Sequence, residues 1–239
     1  MQFIDTHIHL QDFKPDFAPR VLENPEVRKL VLVSAMEEDF NKIAELIREY
    51  PDKLVGAFGV HPWYWEDGAP IETLKKMLRA FPNALIGEIG VDALKEQVTD
   101  EQHQLLSKQL AVAWTFNRPV IIHAAKAFEG LVAHEAELKE VKYVHHAFVK
   151  NQELLKFINK TGGYFGLGRL FLKQERAREL WEQMPKDKIL FETDAPYQAD
   201  EAHYNEIVQD NLVRLAEIAQ MPVEDLNALL VKNAEAFIA

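Results

Sequence analysis

The chain alternates strand-like and helix-like segments eight times, and few architectures accommodate that pattern. Short runs rich in β-branched and apolar residues occur at 3–10 (FIDTHIHL), 30–35 (LVLVSA), 54–62 and 84–92. Four more follow at 118–125, 143–149, 163–170 and 189–197. Amphipathic patterns predict helices at 37–50, 70–81, 100–117, 127–138, 151–160 and 173–184. Two closing helices are predicted near 203–219 and 222–238. The clearest helix start is Thr99, with Gln102 three residues on, as in a capping box. Pro15, Pro19 and Pro25 break any long helix between the first two strands, so short helical pieces in a loop are expected there. Eight such units fit an α/β fold of the (β/α)8 TIM-barrel class, whose usual size is about 250 residues. A doubly wound open sheet is the alternative. No repeat, low-complexity tract or linker divides the chain, so one domain over 1–239 is expected.

Cysteine is absent from the 239 residues. That excludes a disulfide scaffold, a thiolate metal site and a cysteine nucleophile. Any metal must therefore be held by His, Asp or Glu. Lys and Arg total 27 against 38 Asp and Glu, a net charge of −11. A broad duplex-binding surface is not expected, because such binding runs on many phosphate contacts. The N-terminal MQFIDTHIHL has neither the basic nor the apolar region of a signal peptide. No apolar run approaches the roughly 20 residues that span a bilayer. A soluble, cytoplasmic protein without a membrane partner is expected, its oligomeric state left open.

The ionisable residues gather where the predicted strands end. His7 and His9 are two apart on one strand and so point the same way, as two ligands of one metal require. By the same parity Asp5 should point inward below them, in a structural or a catalytic role. Glu88 lies in an apolar run (Ala84, Leu85, Ile86, Ile89, Val91) and would be costly to bury without a cation. His123 ends the fifth strand, His145 and His146 the sixth, and Glu192 and Asp194 the eighth. In a barrel those ends converge on one face. Periodicity does not choose between His145 and His146, which point to opposite sides. Imidazole and carboxylate together suit zinc, manganese, iron or nickel, and a paired site can clamp both oxygens of a phosphoryl displacement. One carboxylate must bridge the ions, and another should take the proton of the attacking water. Trp63, Tyr64 and Trp65 follow the third strand, either packing on a helix or offering a stacking platform for a base or ring. His103, His134 and His203 fall in helical patterns and are expected to face solvent.

These motifs, in order, resemble the TatD-related metal-dependent hydrolases of the amidohydrolase superfamily. The resemblance rests on Asp5-Thr6-His7-Ile8-His9-Leu10, Gly59-Val60-His61-Pro62, Gly87-Glu88-Ile89-Gly90-Val91-Asp92 and Pro119-Val120-Ile121-Ile122-His123. It continues through His146-Ala147-Phe148, Glu192-Thr193-Asp194-Ala195-Pro196-Tyr197 and Asn233-Ala234-Glu235-Ala236-Phe237. It implies two divalent ions per chain, with zinc, magnesium, manganese, iron or nickel as candidates. His7, His9 and Asp194 would bind the first, Glu88 would bridge, and His123 and His146 would bind the second; the family's H-x-F pattern selects His146. Asp194 would also act as the base, so Asp194 and Glu88 are the catalytic candidates. His61, Trp63 and Glu192 are the substrate-side candidates.

The chain departs from the family pattern after His123, where Ala124-Ala125-Lys126 replaces Ser-Arg-Asp, and after Phe148, where Val149-Lys150 follows. Lys126, Lys150 and Arg169 are the residues that could restore positive charge. The activity implied is phosphodiester hydrolysis of deoxyribonuclease or exonuclease type, on a small phosphodiester or a single-stranded nucleic-acid end. The alternatives are an amidohydrolase-type hydrolase of a lactone, amide or cyclic amide, and a non-catalytic metal-binding barrel.

Overall fold

A computed structural model describes residues 1–64, 70–95, 97–149 and 151–239. Eight parallel strands form one sheet in sequence order: β1 (Phe3–Ile8), β2 (Val27–Val33), β3 (Leu54–Phe58), β4 (Leu85–Asp92), β5 (Val120–Ala125), β6 (Tyr143–His145), β7 (Tyr164–Leu167) and β8 (Ile189–Phe191). The helices between them are α1 (Ala18–Glu23), α2 (Glu37–Glu49), α3 (Ile71–Ala80), α4 (Asp100–Phe116), α5 (Phe128–Val132), α6 (Glu135–Lys139), α7 (Gln152–Thr161), α8 (Arg169–Leu172) and α9 (Ala177–Gln183). Two more, α10 (Tyr204–Ala219) and α11 (Val223–Ile238), follow β8. The sheet closes where β8 meets β1, through Asp194 N–H to the His7 carbonyl and His9 N–H to the Ala195 carbonyl, both 2.8 Å. This is the TIM barrel, not the open sheet.

Both faces of each strand are buried, which is why the strands read as continuous apolar runs. On β2, Val31 and Val33 fill the barrel interior with Ile4, Val55, Leu85, Ile121, Val144 and Leu190. Leu30 and Leu32 point the other way, into the layer beneath the helices.

Two irregularities break the two-residue period, and both serve the mouth of the barrel. On β4 the register shifts between Ile86 and Ile89, and both of those side chains pack in the outer layer although they are three residues apart. The extra residue brings Glu88 to the inside. On β1 the register shifts between Asp5 and Ile8. Asp5 therefore does not share a direction with His7. It is fully buried against α10 and accepts from Tyr204 Oη at 2.8 Å and Thr193 Oγ1 at 2.6 Å. Its other oxygen takes the backbone N–H groups of His7 and Thr193, each at 3.1 Å. Burial pushes this carboxyl up to about 7, against those hydrogen bonds. Asp5 is thus a clamp on the β1–β8 seam.

Several predicted elements are shorter than expected. The helix predicted over 127–138 is two short helices, and the strand predicted over 163–170 ends at Leu167, its last two residues opening α8. β6 and β8 have only three residues each, because the chain leaves the sheet just where its polar side chains begin. Thr99 caps α4 as predicted, accepting from Gln102 N–H at 3.4 Å, but the box is half made. The Gln102 side chain instead bonds the backbone of Asp92, as Gln109 bonds that of Val60. His103 and His134 are not free in solvent: their rings meet at 2.9 Å, and His134 is buried beside Glu137.

Candidate metal centre

The seam of the barrel assembles the first group of ligands. His7 and His9 point to the mouth while Ile8 between them packs outward, and their Nε2 atoms are 3.2 Å apart. Asp194 Oδ1 is 3.6 Å from the first and 3.5 Å from the second. A tetrahedral cation with bonds of about 2.0–2.2 Å holds its ligand atoms about 3.3–3.6 Å apart. The three residues already have that spacing and could hold a metal ion.

Glu88 closes the group from β4. Its Oε2 is 3.6 Å from His7 Nε2 and 4.0 Å from His9 Nε2. Its Oε1 faces the other way, 2.7 Å from His123 Nδ1 and 2.9 Å from His146 Nε2. One carboxylate thus presents one oxygen to each of two imidazole pairs. Glu88, His123 and His146 form a second group that could hold a cation, after parting by about half an ångström. Of the two histidines left open by periodicity, His146 is the one that meets Glu88. His145 is buried with neither ring nitrogen hydrogen-bonded, and burial pulls it down to about 3.

Carboxylates hold the far sides of these rings. His123 Nε2 is 2.6 Å from Asp92 Oδ2. Such a partner fixes ring orientation and leaves the other nitrogen as the electron-pair donor. The sequence assigns Asp92 no role, although its spacing of four from Glu88 along one strand is the signal that points to it. Asp92→Ala is expected to weaken binding at the His123 side about 10- to 100-fold, read by metal titration of the purified protein.

Glu192 requires a correction. Expected at the substrate, it is 1% exposed and sits behind His146, with Oε1 3.6 Å from Nδ1. β8 has ended at Phe191, so the two-residue period no longer aligns Glu192 with Asp194. The same carboxylate accepts the N–H of Ala147, whose φ of 49° lies in the left-handed region. It thereby holds a backbone conformation that alanine disfavours. Asp194 is also left-handed, at φ 53°.

At Glu88, His146 and Asp194 burial works against the charge and the neighbours outweigh it, whereas at His7 burial prevails and holds the imidazole well below its usual range. Glu88 is held well below the usual carboxylate range by His146 and His123. His146 is held well above the usual imidazole range by Glu88 and Glu192. Asp194 is held low by a hydrogen bond from His9 and by His7 and His146. Asp194 Oδ2 also accepts from Gln198 Nε2 at 2.6 Å. Nothing in the sequence marks that glutamine apart from a surface residue.

The mouth is a cavity of about 560 Å³ that reaches His9, Glu88, His123, His146 and Asp194. His61 lies in its wall, its ring 4.3 Å from that of His123. Its Nδ1 accepts the N–H of Trp63 at 3.1 Å, so the proton sits on Nε2. Burial pulls His61 down to about 4, which keeps it neutral at pH 7. Trp63 and Tyr64 stand at the rim, half-exposed; Lys95 covers the Trp63 ring at 3.8 Å. Trp65 and Lys150 lie outside the described residues. Lys126 lines the mouth, whereas Arg169 is turned to the Gln198 carbonyl.

The family described as TatD related DNase matches residues 4–239. A metal-dependent hydrolase of Bacillus subtilis, YabD, is 27% identical over 97% of this chain and 96% of its own. One of Haemophilus influenzae is 28% identical over 82% of both. The crystal structure of the Escherichia coli TatD homologue YjjV superposes with a TM-score of 0.82 at 24% identity, covering 98% of this chain and 97% of that one. A TatD-family hydrolase of Entamoeba histolytica gives 0.85 at 20% identity, covering 99% and 98%. Those two structures share the fold. The sequence match runs through every strand end that carries a candidate ligand, and the chain belongs to the TatD-related DNase family.

Proposed function

We propose that this protein is a divalent-metal-dependent phosphodiesterase, of the nuclease type its family name describes, acting in the cytoplasm. The observation that carries this reading is Glu88, one carboxylate between two imidazole pairs. The donor set is all nitrogen and oxygen, which suits two divalent cations. Such ions, when bound, polarise a phosphoryl oxygen and make water a nucleophile at neutral pH.

The chain's own residues supply the rest. His7 and His9 with Asp194 would hold one ion, His123 with His146 would hold the other, and Glu88 would contribute an oxygen to each. Asp194 is ionised at neutral pH and oriented by Gln198, so it can take the proton of the attacking water. His61, neutral with its proton on Nε2, can donate to an anionic oxygen of the substrate. Trp63 and Tyr64 offer ring faces beside the reacting bond.

The test is hydrolysis of bis(p-nitrophenyl) phosphate by protein stripped with a chelator and reloaded with zinc or manganese. Activity is expected to vanish on stripping and return on reloading. Phosphodiesters left intact by protein carrying two ions would overturn the reading. A second reading, a lactone or cyclic amide as substrate, is favoured by the scarcity of cations at the mouth. The same preparation assayed on lactones separates the two.

A further inference from the structure

Among the described residues ten large apolar side chains are exposed. Four lie elsewhere: Met1, Trp114, Val132 and Val213. The other six, Trp63, Tyr64, Leu94, Val149, Leu170 and Tyr197, all line the mouth of the metal cavity. They come from five separate connections of the barrel, so no single helix face or packing defect explains them. Scattered exposed apolar residues are ordinary; a contiguous ring around a concave site marks what the site binds.

The charges point the same way. Lys126 is the one lysine or arginine among the described residues of that wall. A protein that tracks a nucleic-acid strand needs a groove of cations along the phosphates. This mouth offers Lys126 in its wall and Lys95 over the Trp63 ring at its rim, too few for such a groove.

Resting on the phosphodiesterase reading, we infer that the substrate is a small phosphodiester with a single negative charge and an aromatic or apolar group. The ring of Trp63, Tyr64, Leu94, Leu170 and Tyr197 recognises that group by stacking and apolar contact. His61 faces the phosphoryl oxygens, which bound ions would polarise. A strand read along its backbone is not the substrate. The cavity of about 560 Å³ suits this size, since pockets of about 300–1,000 Å³ enclose drug-sized ligands.

The experiment compares the manganese-loaded protein with its Trp63→Ala and Leu170→Ser variants on three probes: bis(p-nitrophenyl) phosphate, a thymidine dinucleotide and a single-stranded 20-nucleotide DNA. Both replaced side chains are exposed, and circular dichroism checks the fold. Quenching of tryptophan fluorescence reads binding apart from turnover, for the wild type and Leu170→Ser. Trp63→Ala is expected to raise KM for the aryl diester about five- to a hundredfold, the worth of one stacked ring, with kcat little changed. Between about 50 and about 200 mM salt, KM should move no more than about threefold, as one phosphate contact allows. The 20-nucleotide strand should gain nothing over the dinucleotide.

Unchanged KM in both variants overturns the inference and leaves the phosphodiesterase reading standing. So does much tighter binding of the longer strand, with a salt dependence of about a hundredfold over the same range, as about five phosphate contacts give. Failure of the loaded wild type to cleave any of the three probes overturns both.

Discussion

Glu88→Ala is expected to disable both ion sites at once and to slow phosphodiester cleavage on the order of a thousandfold or more, several kcal/mol of barrier. The reason is geometric. Oε2 faces His7 and His9, and Oε1 faces His123 and His146. Removing it leaves each pair short of a ligand and takes away the negative charge that offsets two neighbouring cations. The effect is readable without any substrate. A cation at a hundred times its dissociation constant adds about 2.7 kcal/mol to stability, about 5–10 °C in Tm for a chain of this size. Glu88→Ala is expected to lose most of that shift and to bind fewer than two ions in a metal assay. An undiminished shift with two ions still bound would show that Glu88 does not join the sites.

Asp194→Asn separates binding from chemistry. The amide keeps an oxygen that can face His7 and His9, so much of the metal content is expected to survive. It cannot accept the proton of an attacking water, and the loss of a general base typically costs about 10²–10⁴ in rate. The expected result is therefore a fall of that size in kcat with KM for the aryl diester little changed. Gln198 sharpens the comparison. Its Nε2 donates to Asp194 Oδ2 at 2.6 Å, and an asparagine that keeps its oxygen toward the histidines would meet that donor with another donor. Asp194→Asn combined with Gln198→Glu should restore the hydrogen bond but not the rate. A double variant with wild-type kcat would remove Asp194 from the role of base.

The order of elements and the pairing of His7 with His9 were legible because both follow simple periods, whereas His146 was selected over His145 only by the resemblance. Two-face burial makes β2 and β5 unmistakable apolar runs, and His7 and His9 face together because Ile8 between them packs outward. What the period could not show lies at its breaks. The register shifts on β1 and β4 reverse the expected direction of Asp5 and bring Glu88 inside, and nothing in the local composition marks an extra residue. β6 and β8 stop early for a related reason: His146, Glu192 and Asp194 follow the last regular strand residues, where Ala147 and Asp194 are left-handed. Residues that act through others were the hardest to see. Gln102, Gln109 and Gln198 resemble solvated helix or loop residues in sequence, and each binds one specific backbone or carboxylate partner. The exposed ring at the mouth was partly visible as Trp63-Tyr64, but Leu94, Val149, Leu170 and Tyr197 join it only through the closure of the barrel.

That closure gives the Asp5 clamp a meaning beyond packing. Asp5 and Thr193 are 188 residues apart, and their hydrogen bonds sit beside His7 and Asp194. The candidate ligands His7, His9 and Asp194 therefore come from the two ends of the chain's folding history, the first strand made and the last. No intermediate that lacks β8 can own that site, whatever else it has assembled. An ion bound there would act as a removable cross-link across the last joint to form. Loading would be felt chiefly as a slower opening of the seam, with the amides of His9 and Asp194 the ones whose hydrogen exchange it retards most.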